Sequence, residues 1–303
     1  MNEQASIPLD SLPSVAFIGA GRLGRTLARA LAAKGVAVRA VGSRSAPAAQ
    51  ALAALLPGCA ALPVDEAAAA AELVFLTVPD DAIAPSAAAL RWRAGQRVVH
   101  CSGATEIDAL AAASAQGAQV GGFHPLQIFS DPERALSLLP GSTVAIEAEG
   151  ALAAELQALA ALLGMQPLTL RPGTRAAYHG AASFAASFLL SMLDEAAQVW
   201  EAIGLPREQA LRSLLPLARG TLDAAEAKGL AQALAGPISR GDAGVVAKHL
   251  RAFDALGGRH GVFYRELSRR QLELARASGR LDEAAMARLA DLLTSGQAGP
   301  EPA

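Results

Sequence analysis

Five histidines, His100, His124, His179, His249 and His260, are the side chains of this 303-residue chain whose ordinary pKa lies nearest neutrality. Their surroundings differ. His124 ends the apolar run Val120 to Phe123 and precedes Pro125, which holds its backbone extended. Ser102 closes a neighbouring apolar strand, Val98 to Cys101. Both fall where a substrate would lie, His124 to donate a proton and Ser102 to orient it. His100, inside that run, reads as a hydrogen-bonded core histidine. His179 opens a long apolar stretch, with Ser183 and Ser187 following at intervals of four, a stripe about 80° wide on a helix. Such a stripe suits a substrate cleft, or else serine hydroxyls bonded back to carbonyls one turn earlier. His249 and His260, among Lys248, Arg251 and Arg259, read as solvated. In the polar connection from Gly236 to Gly244, Arg240 suits a substrate carboxylate, and Asp242 suits the N-cap of the next helix. Cys59 and Cys101 have neither metal-ligand spacing nor a disulfide framework, so no metal is expected.

These groups need a scaffold, and the stretch Val15 to Ala28 supplies its signature. A buried strand runs into Gly19-Ala20-Gly21-Arg22-Leu23-Gly24 and then a helix. In this G-x-G-x-x-G spacing the first glycine turns the chain and the second lets a pyrophosphate approach the backbone. The third packs the helix on the strand. Free amides at the helix start would receive the phosphates. The six residues are therefore expected to bind a dinucleotide. The next strand, Val36 to Val41, ends in Gly42-Ser43-Arg44-Ser45, where an NAD site places an acid on the ribose. No acidic residue occurs between Ser11 and Val64. A guanidinium and two hydroxyls at Ser43, Arg44 and Ser45 suit a 2′-phosphate, so NADP (as NADPH) is the expected cofactor. The missing acid also counts against FAD and S-adenosylmethionine.

Further apolar runs at Leu73 to Pro79, Arg97 to Gly103, Val120 to Gln127, Ser142 to Ile146 and Pro167 to Leu170 alternate with helical segments. The fold class is therefore α/β: an N-terminal doubly wound parallel Rossmann sheet followed by an all-helical C-terminal domain. Ligands in such sheets lie beyond the carboxyl ends of the strands, which adds Val78 and Pro79 to the cofactor edge. The pattern changes at Arg171-Pro172-Gly173, dividing residues 1–171, the dinucleotide-binding domain, from 172–303, a helical substrate and dimerisation domain. Its first helix, Thr174 to Ile203, is apolar almost all round, which suits an interface and a homodimer. Helices follow near Pro206 to Lys228, with a kink at Pro216, then Gly244 to Leu256, Gly261 to Ala277 and Leu281 to Leu293. Gln297 to Ala303 reads as a frayed tail.

Hydrophobic residues make up 52% of the chain and charged ones 18%, and the net charge is −2. That balance supports neither nucleic-acid nor anionic-membrane binding. Met1 to Pro13 has no basic-then-apolar pattern of a secretory signal. Phe184 to Leu193 is short for a bilayer span. A cytoplasmic setting, a small-molecule substrate and no membrane partner are expected.

Taken together, several motifs resemble one family. They are Gly19 to Gly24, Leu76-Thr77-Val78-Pro79-Asp80-Asp81, His100-Cys101-Ser102-Gly103, His124-Pro125-Leu126-Gln127, Tyr178-His179 and Gly236 to Asp242. The chain resembles the bacterial Rossmann-like proteins that carry a domain of unknown function, DUF2520. The resemblance implies two domains, as in 6-phosphogluconate and β-hydroxyacid dehydrogenases, with helical-domain dimerisation. Ser102 and His124 are placed like the serine and histidine that contact the substrate hydroxyl in prephenate dehydrogenases. Gly42-Ser43-Arg44 is similar to the phosphate-binding tip of F420-dependent NADP reductases. Relatives often carry asparagine where this chain has Ser187. β-Hydroxyacid dehydrogenases use a lysine near the start of this helix, yet the lysines here are Lys34, Lys228 and Lys248, so His179 would take its place. The expected activity is NADP-dependent hydride transfer to or from a small carbonyl or imine, with His124, Ser102 and His179 catalytic and Ser183, Ser187 and Arg240 binding substrate. The alternatives are a non-catalytic NADP-binding sensor and an F420:NADP hydride exchanger.

Overall fold

The computed structural model describes residues 12–295. The expectations for Met1 to Pro13, as far as Ser11, and for the tail from Gln297 lie outside those residues. The chain divides into two compact units, Met1–Phe184 and Ala185–Ala303.

The first unit is built on eight strands: β1 (Val15–Ile18), β2 (Val38–Gly42), β3 (Ala60–Ala61), β4 (Leu73–Leu76), β5 (Arg97–His100), β6 (Gln119–Pro125), β7 (Thr143–Glu147) and β8 (Gln166–Thr169). Its helices are α1 (Arg22–Ala33), α2 (Ala46–Ala53), α3 (Val64–Ala69), α4 (Asp80–Ala89), α5 (Ala111–Ser114), α6 (Pro132–Leu138), α7 (Gly150–Leu162) and α8 (Arg175–Ala185). The strand order is β3-β2-β1-β4-β5-β6-β7-β8. Pairing is parallel except between β6 and β7, which run antiparallel with His124 opposite Ala145. The sheet is thus parallel-dominated, as expected, with this one antiparallel pair. The two-residue β3, beside β2, is an addition to the expected strands.

Alternate residues of each strand point to opposite faces, and both faces are covered. Val15 and Phe17 join a core under α1, α2 and α7. Ala16 and Ile18 join a second core with Ile83, Trp92 and Leu110. Phe17 stacks on Phe75 with centroids 5.1 Å apart, and Phe123 meets Phe75 edge-on at 5.6 Å. Strands buried on both sides read as unbroken apolar runs, which made them visible in the sequence. Because β1, β2, β4, β5 and β6 are mutually parallel, their carboxyl ends share one edge. Gly19, Ser43, Val78, Ser102 and His124 lie along it.

The second unit consists of α9 (Ser187–Ala202), α10 (Arg207–Lys228), α11 (Leu230–Ala233), α12 (Ala243–Leu256), α13 (His260–Ser278) and α14 (Glu283–Thr294). Its core joins Ile238, Val246, Leu250, Ala275, Leu289 and Leu293. The expected helix from Thr174 to Ile203 is interrupted at Ala186 (φ −113°, ψ −91°), just past the point in the chain where the first unit ends. Ser183 and Ser187 are therefore not on one continuous helical stripe. The units divide 13 residues beyond the expected 171/172 boundary because α8 is tied to the sheet. By length and composition the run Arg175–Ala202 could cross a membrane. Its polar groups are engaged otherwise: Arg175 is fully buried in the first unit, and Glu195 pairs with His260 in the second. Helix α10 continues through Pro216 without being split.

Candidate active site

The glycine loop is shaped by contact with the end of β4. Gly19 has φ +116°, a conformation that side chains disfavour, and a Cβ there would sit 2.6 Å from the Thr77 carbonyl oxygen. A Cβ at Gly24 would overlap the Gly19 carbonyl. The Thr77 hydroxyl donates to that same carbonyl at 2.7 Å, pinning the turn. Gly21 is different: nothing lies within 4 Å of where its Cβ would be. It is the N-cap of α1, with no side-chain cap bond and no acid in the first turn. Two glycines closed by packing and one facing open space form a cradle into which a phosphate fits. Ala20, Arg22 and Leu23 complete that turn, and Val78 and Pro79 follow the end of β4.

At the tip of β2, Arg44 is exposed. The Ser43 hydroxyl accepts from the Ser45 amide at 3.2 Å. Ser45 caps α2, its hydroxyl accepting from the Ala48 amide at 3.3 Å. A structural duty thus occupies Ser45, and Ser43 and Arg44 present the polar tip.

Further along the edge the polar residues converge. The Ser102 hydroxyl donates to Asp80 Oδ2 at 2.8 Å and accepts from the Ala104 and Thr105 amides at 3.2 and 3.0 Å. It is thus a turn residue bonded to Asp80, and the partner of His124 is another group. His124 Nδ1 lies 3.1 Å from the Tyr178 hydroxyl, with the two rings nearly perpendicular. His179 packs edge-on to His124 with centroids 5.8 Å apart. Gly103 makes this crowding possible: a Cβ there would sit 2.8 Å from His124 Nε2 and would overlap the His179 ring. Burial, reinforced by His179 and Arg175, pushes the His124 imidazole down to about 4. His124 is therefore neutral at physiological pH. His100 is a core histidine, as its position in β5 suggested. It is fully buried, with Nδ1 accepting from the Ser102 amide at 3.2 Å, and burial also lowers it to about 4.

Two residues with site roles escaped the sequence reading. Arg175, the first residue of α8, is completely buried. Its Nε donates to Glu147 at 2.6 Å and its Nη1 to the Ser102 carbonyl at 2.8 Å. Its own amide and that of Gly173 donate to Glu106, each at 3.1 Å. The guanidinium occupies the room left by Gly122, where a Cβ would overlap it. The available signal was the Gly121-Gly122 pair inside a strand, which marks close approach by another group. The second is Tyr178, named in the Tyr178-His179 motif but given no role there, which is the partner of His124.

The remaining candidates fall in both units. Ser183 lies in α8, whereas Ser187 and Arg240 belong to the second unit. Arg240 is exposed, and Asp242 caps α12 by accepting from the Val245 amide at 3.0 Å. His249 and His260 are half-buried, not solvated: His249 meets the Tyr264 hydroxyl at 2.9 Å and His260 pairs with Glu195 at 2.6 Å. Their charged sequence neighbours point elsewhere around the helix, so local composition misled. A hollow of about 470 Å³ in the first unit is lined by Arg29, Lys34, Leu55 and Leu163 at the far end of α1, away from the glycine loop. Among the described residues no group of three or more His, Cys, Asp or Glu side chains could hold a metal ion.

The fold and edge define a Rossmann-type unit followed by a helical unit. Residues 3–125 match the family model of the Rossmann-like domain, and residues 142–271 match that of DUF2520, a domain of unknown function. The two models that match are those of the domains its motifs resemble. Among solved structures, the Thermotoga maritima protein TM1727 is 23% identical over 88% of this chain and 100% of its own, with a TM-score of 0.70. A Bacteroides fragilis protein provisionally named an NADP oxidoreductase is 28% identical over 85% and 97%, with a TM-score of 0.65. A reductive aminase from Aspergillus terreus, solved with NADPH and ethyl-5-oxohexanoate, is 17% identical over 96% and 97%, with a TM-score of 0.59. The first and third likenesses show the fold alone. No curated protein matches the chain.

Proposed function

We propose that the protein is an NADP-dependent oxidoreductase acting on a small carbonyl or imine compound. The observation that carries this reading is the shared strand edge, which aligns an open phosphate cradle at Gly21 with the half-buried pair His124 and Tyr178 and the exposed His179 packed beside it. The name given to the Bacteroides fragilis relative, at 28% identity, supports it. The amides after Gly21 hold the pyrophosphate, Ser43 and Arg44 hold the 2′-phosphate, and Val78 and Pro79 line the path toward His124. Bound nicotinamide supplies or removes a hydride. The chain's own task is to position the reacting carbon, exclude water and manage one proton at the adjacent oxygen or nitrogen. His124 takes part as a neutral ring that accepts or hands on a hydrogen bond. Ser102, tied to Asp80, fixes the turn beneath Gly103 that packs both histidines. His179, on α8, connects the cluster to solvent. Loss of NADPH absorbance on mixing with ketones, keto acids and cyclic imines tests this reading.

We further propose a homodimer through the helical unit. Helix α9 has Ala197 as its buried residue. Leu190, Leu217 and Leu222 are 67%, 67% and 57% exposed on α9 and α10. Apolar surface on that scale is what a protein partner covers.

A further inference from the structure

We propose that the phenol of Tyr178 is the group that protonates the substrate, and that His124, bonded to it through Nδ1, resupplies the proton. This rests on the oxidoreductase reading above. It moves the acid from the histidine that the sequence singles out to its aromatic partner.

Geometry leads to the assignment. The Tyr178 hydroxyl and His124 Nδ1 are 3.1 Å apart, with the rings at 88°. A half-buried phenol next to a ring nitrogen has one hydrogen to give and one to receive. Gly103 fixes the other side of the imidazole by lying against Cε1 and Nε2. The couple is faced by His179, by Asp80, and by Arg175 together with its carboxylate Glu147. Protonation states agree with the assignment. Burial raises the Tyr178 phenol above its ordinary value, so it carries a proton throughout the neutral range. His124, lowered to about 4, is a neutral imidazole there, which suits it to relay a proton to the phenol.

In the reductive direction bound NADPH would supply a hydride to the carbonyl or imine carbon and be left as NADP⁺, and the π pair would move onto the oxygen or nitrogen. That atom takes the phenolic proton of Tyr178, leaving a phenolate. The phenolate takes the Nδ1 proton of His124 as Nε2 accepts one from a solvent water on the His179 side, and the hydroxide left passes to bulk solvent. The imidazole changes tautomer but not charge. In the oxidative direction every transfer reverses.

Tyr178→Phe, which keeps the ring, tests the proposal. The expected result is a fall in turnover of about 100- to 10,000-fold with an NADPH dissociation constant within about twofold of wild type. Nitrogen-15 NMR gives a readout independent of turnover. Tyr178→Phe shifts the His124 Nδ1 resonance and leaves that of His249 unchanged. Turnover by Tyr178→Phe within about threefold of wild type overturns the assignment, as does an unmoved Nδ1 resonance. Failure of the wild type itself to oxidise NADPH with any carbonyl or imine, while the NMR shift is seen, overturns the oxidoreductase reading and the proton-delivery step with it.

Discussion

The guanidinium of Arg175 lies across the backbone of Gly122, in space that any side chain at that strand position would fill. A helix residue is thereby inserted into the sheet, where it bonds Glu147 on β7 and the carbonyl of Ser102. The helix carrying Tyr178 and His179 is positioned by a charge pair that solvent barely reaches.

Removing one partner of such a pair leaves the other charged and buried, which costs about 3–5 kcal/mol. Arg175→Met should lose stability of that order in urea unfolding at pH 7. The double variant Arg175→Met, Glu147→Gln should recover part of the loss, because no lone charge remains. A midpoint for Arg175→Met equal to wild type would contradict the description of the pair.

Stability should depend on pH through the buried imidazoles. His124 and His100 titrate near 6.5 when unfolded and near 4 when folded. Between those values the unfolded chain binds more protons, so stability rises with pH across the window and is fully present above 6.5. For His124 the span corresponds to roughly 3 kcal/mol. The stability advantage of wild type over His124→Gln should therefore shrink by about that amount from pH 7 to pH 4. A pH-independent difference would show that the ring is accessible in the folded state.

How much of this was legible beforehand follows from what each feature depends on. The Gly19, Gly21 and Gly24 spacing encodes a local turn, so the sequence exposes it directly. The runs of β1 and β4 are continuous because both sheet faces are covered. The direction of β7 is not written in its own residues, since an antiparallel strand uses the same apolar run as a parallel one. Arg175 was missed because its burial depends on Gly122 and on Glu147, which meet it only in three dimensions. Ser102 was correctly placed on the edge but paired with the wrong group. An exposed carboxylate, Asp80 at the start of α4, receives its hydroxyl.

Cofactor preference should reside at the β2 tip. NADPH should bind at least about tenfold more tightly than NADH, a difference of about 1.4 kcal/mol. Arg44→Ala should erase most of it, because a hydrogen bond to a charged group contributes about 1.5–3 kcal/mol. Calorimetry on both proteins decides, and equal affinities in the wild type would remove the basis for assigning a 2′-phosphate site to Ser43 and Arg44.

Assembly should follow the exposed leucines of α9 and α10. Light scattering at micromolar concentration is expected to report a dimer, and Leu217→Glu together with Leu222→Glu should shift it toward monomer. A wild-type monomer under those conditions would leave the helical unit without its proposed partner.

At the centre of the proposed function is hydride transfer: the chain binds NADPH in order to spend its hydride on a bound substrate. Nicotinamide absorbance should be followed with saturating NADPH against a panel of keto acids, ketones with and without amines, cyclic imines and F420. The expected result is a decay that requires both the protein and one carbonyl or imine substrate. Saturable NADPH binding with no decay across the panel would contradict it and identify a nucleotide-binding sensor, and decay with F420 alone would identify a hydride exchanger.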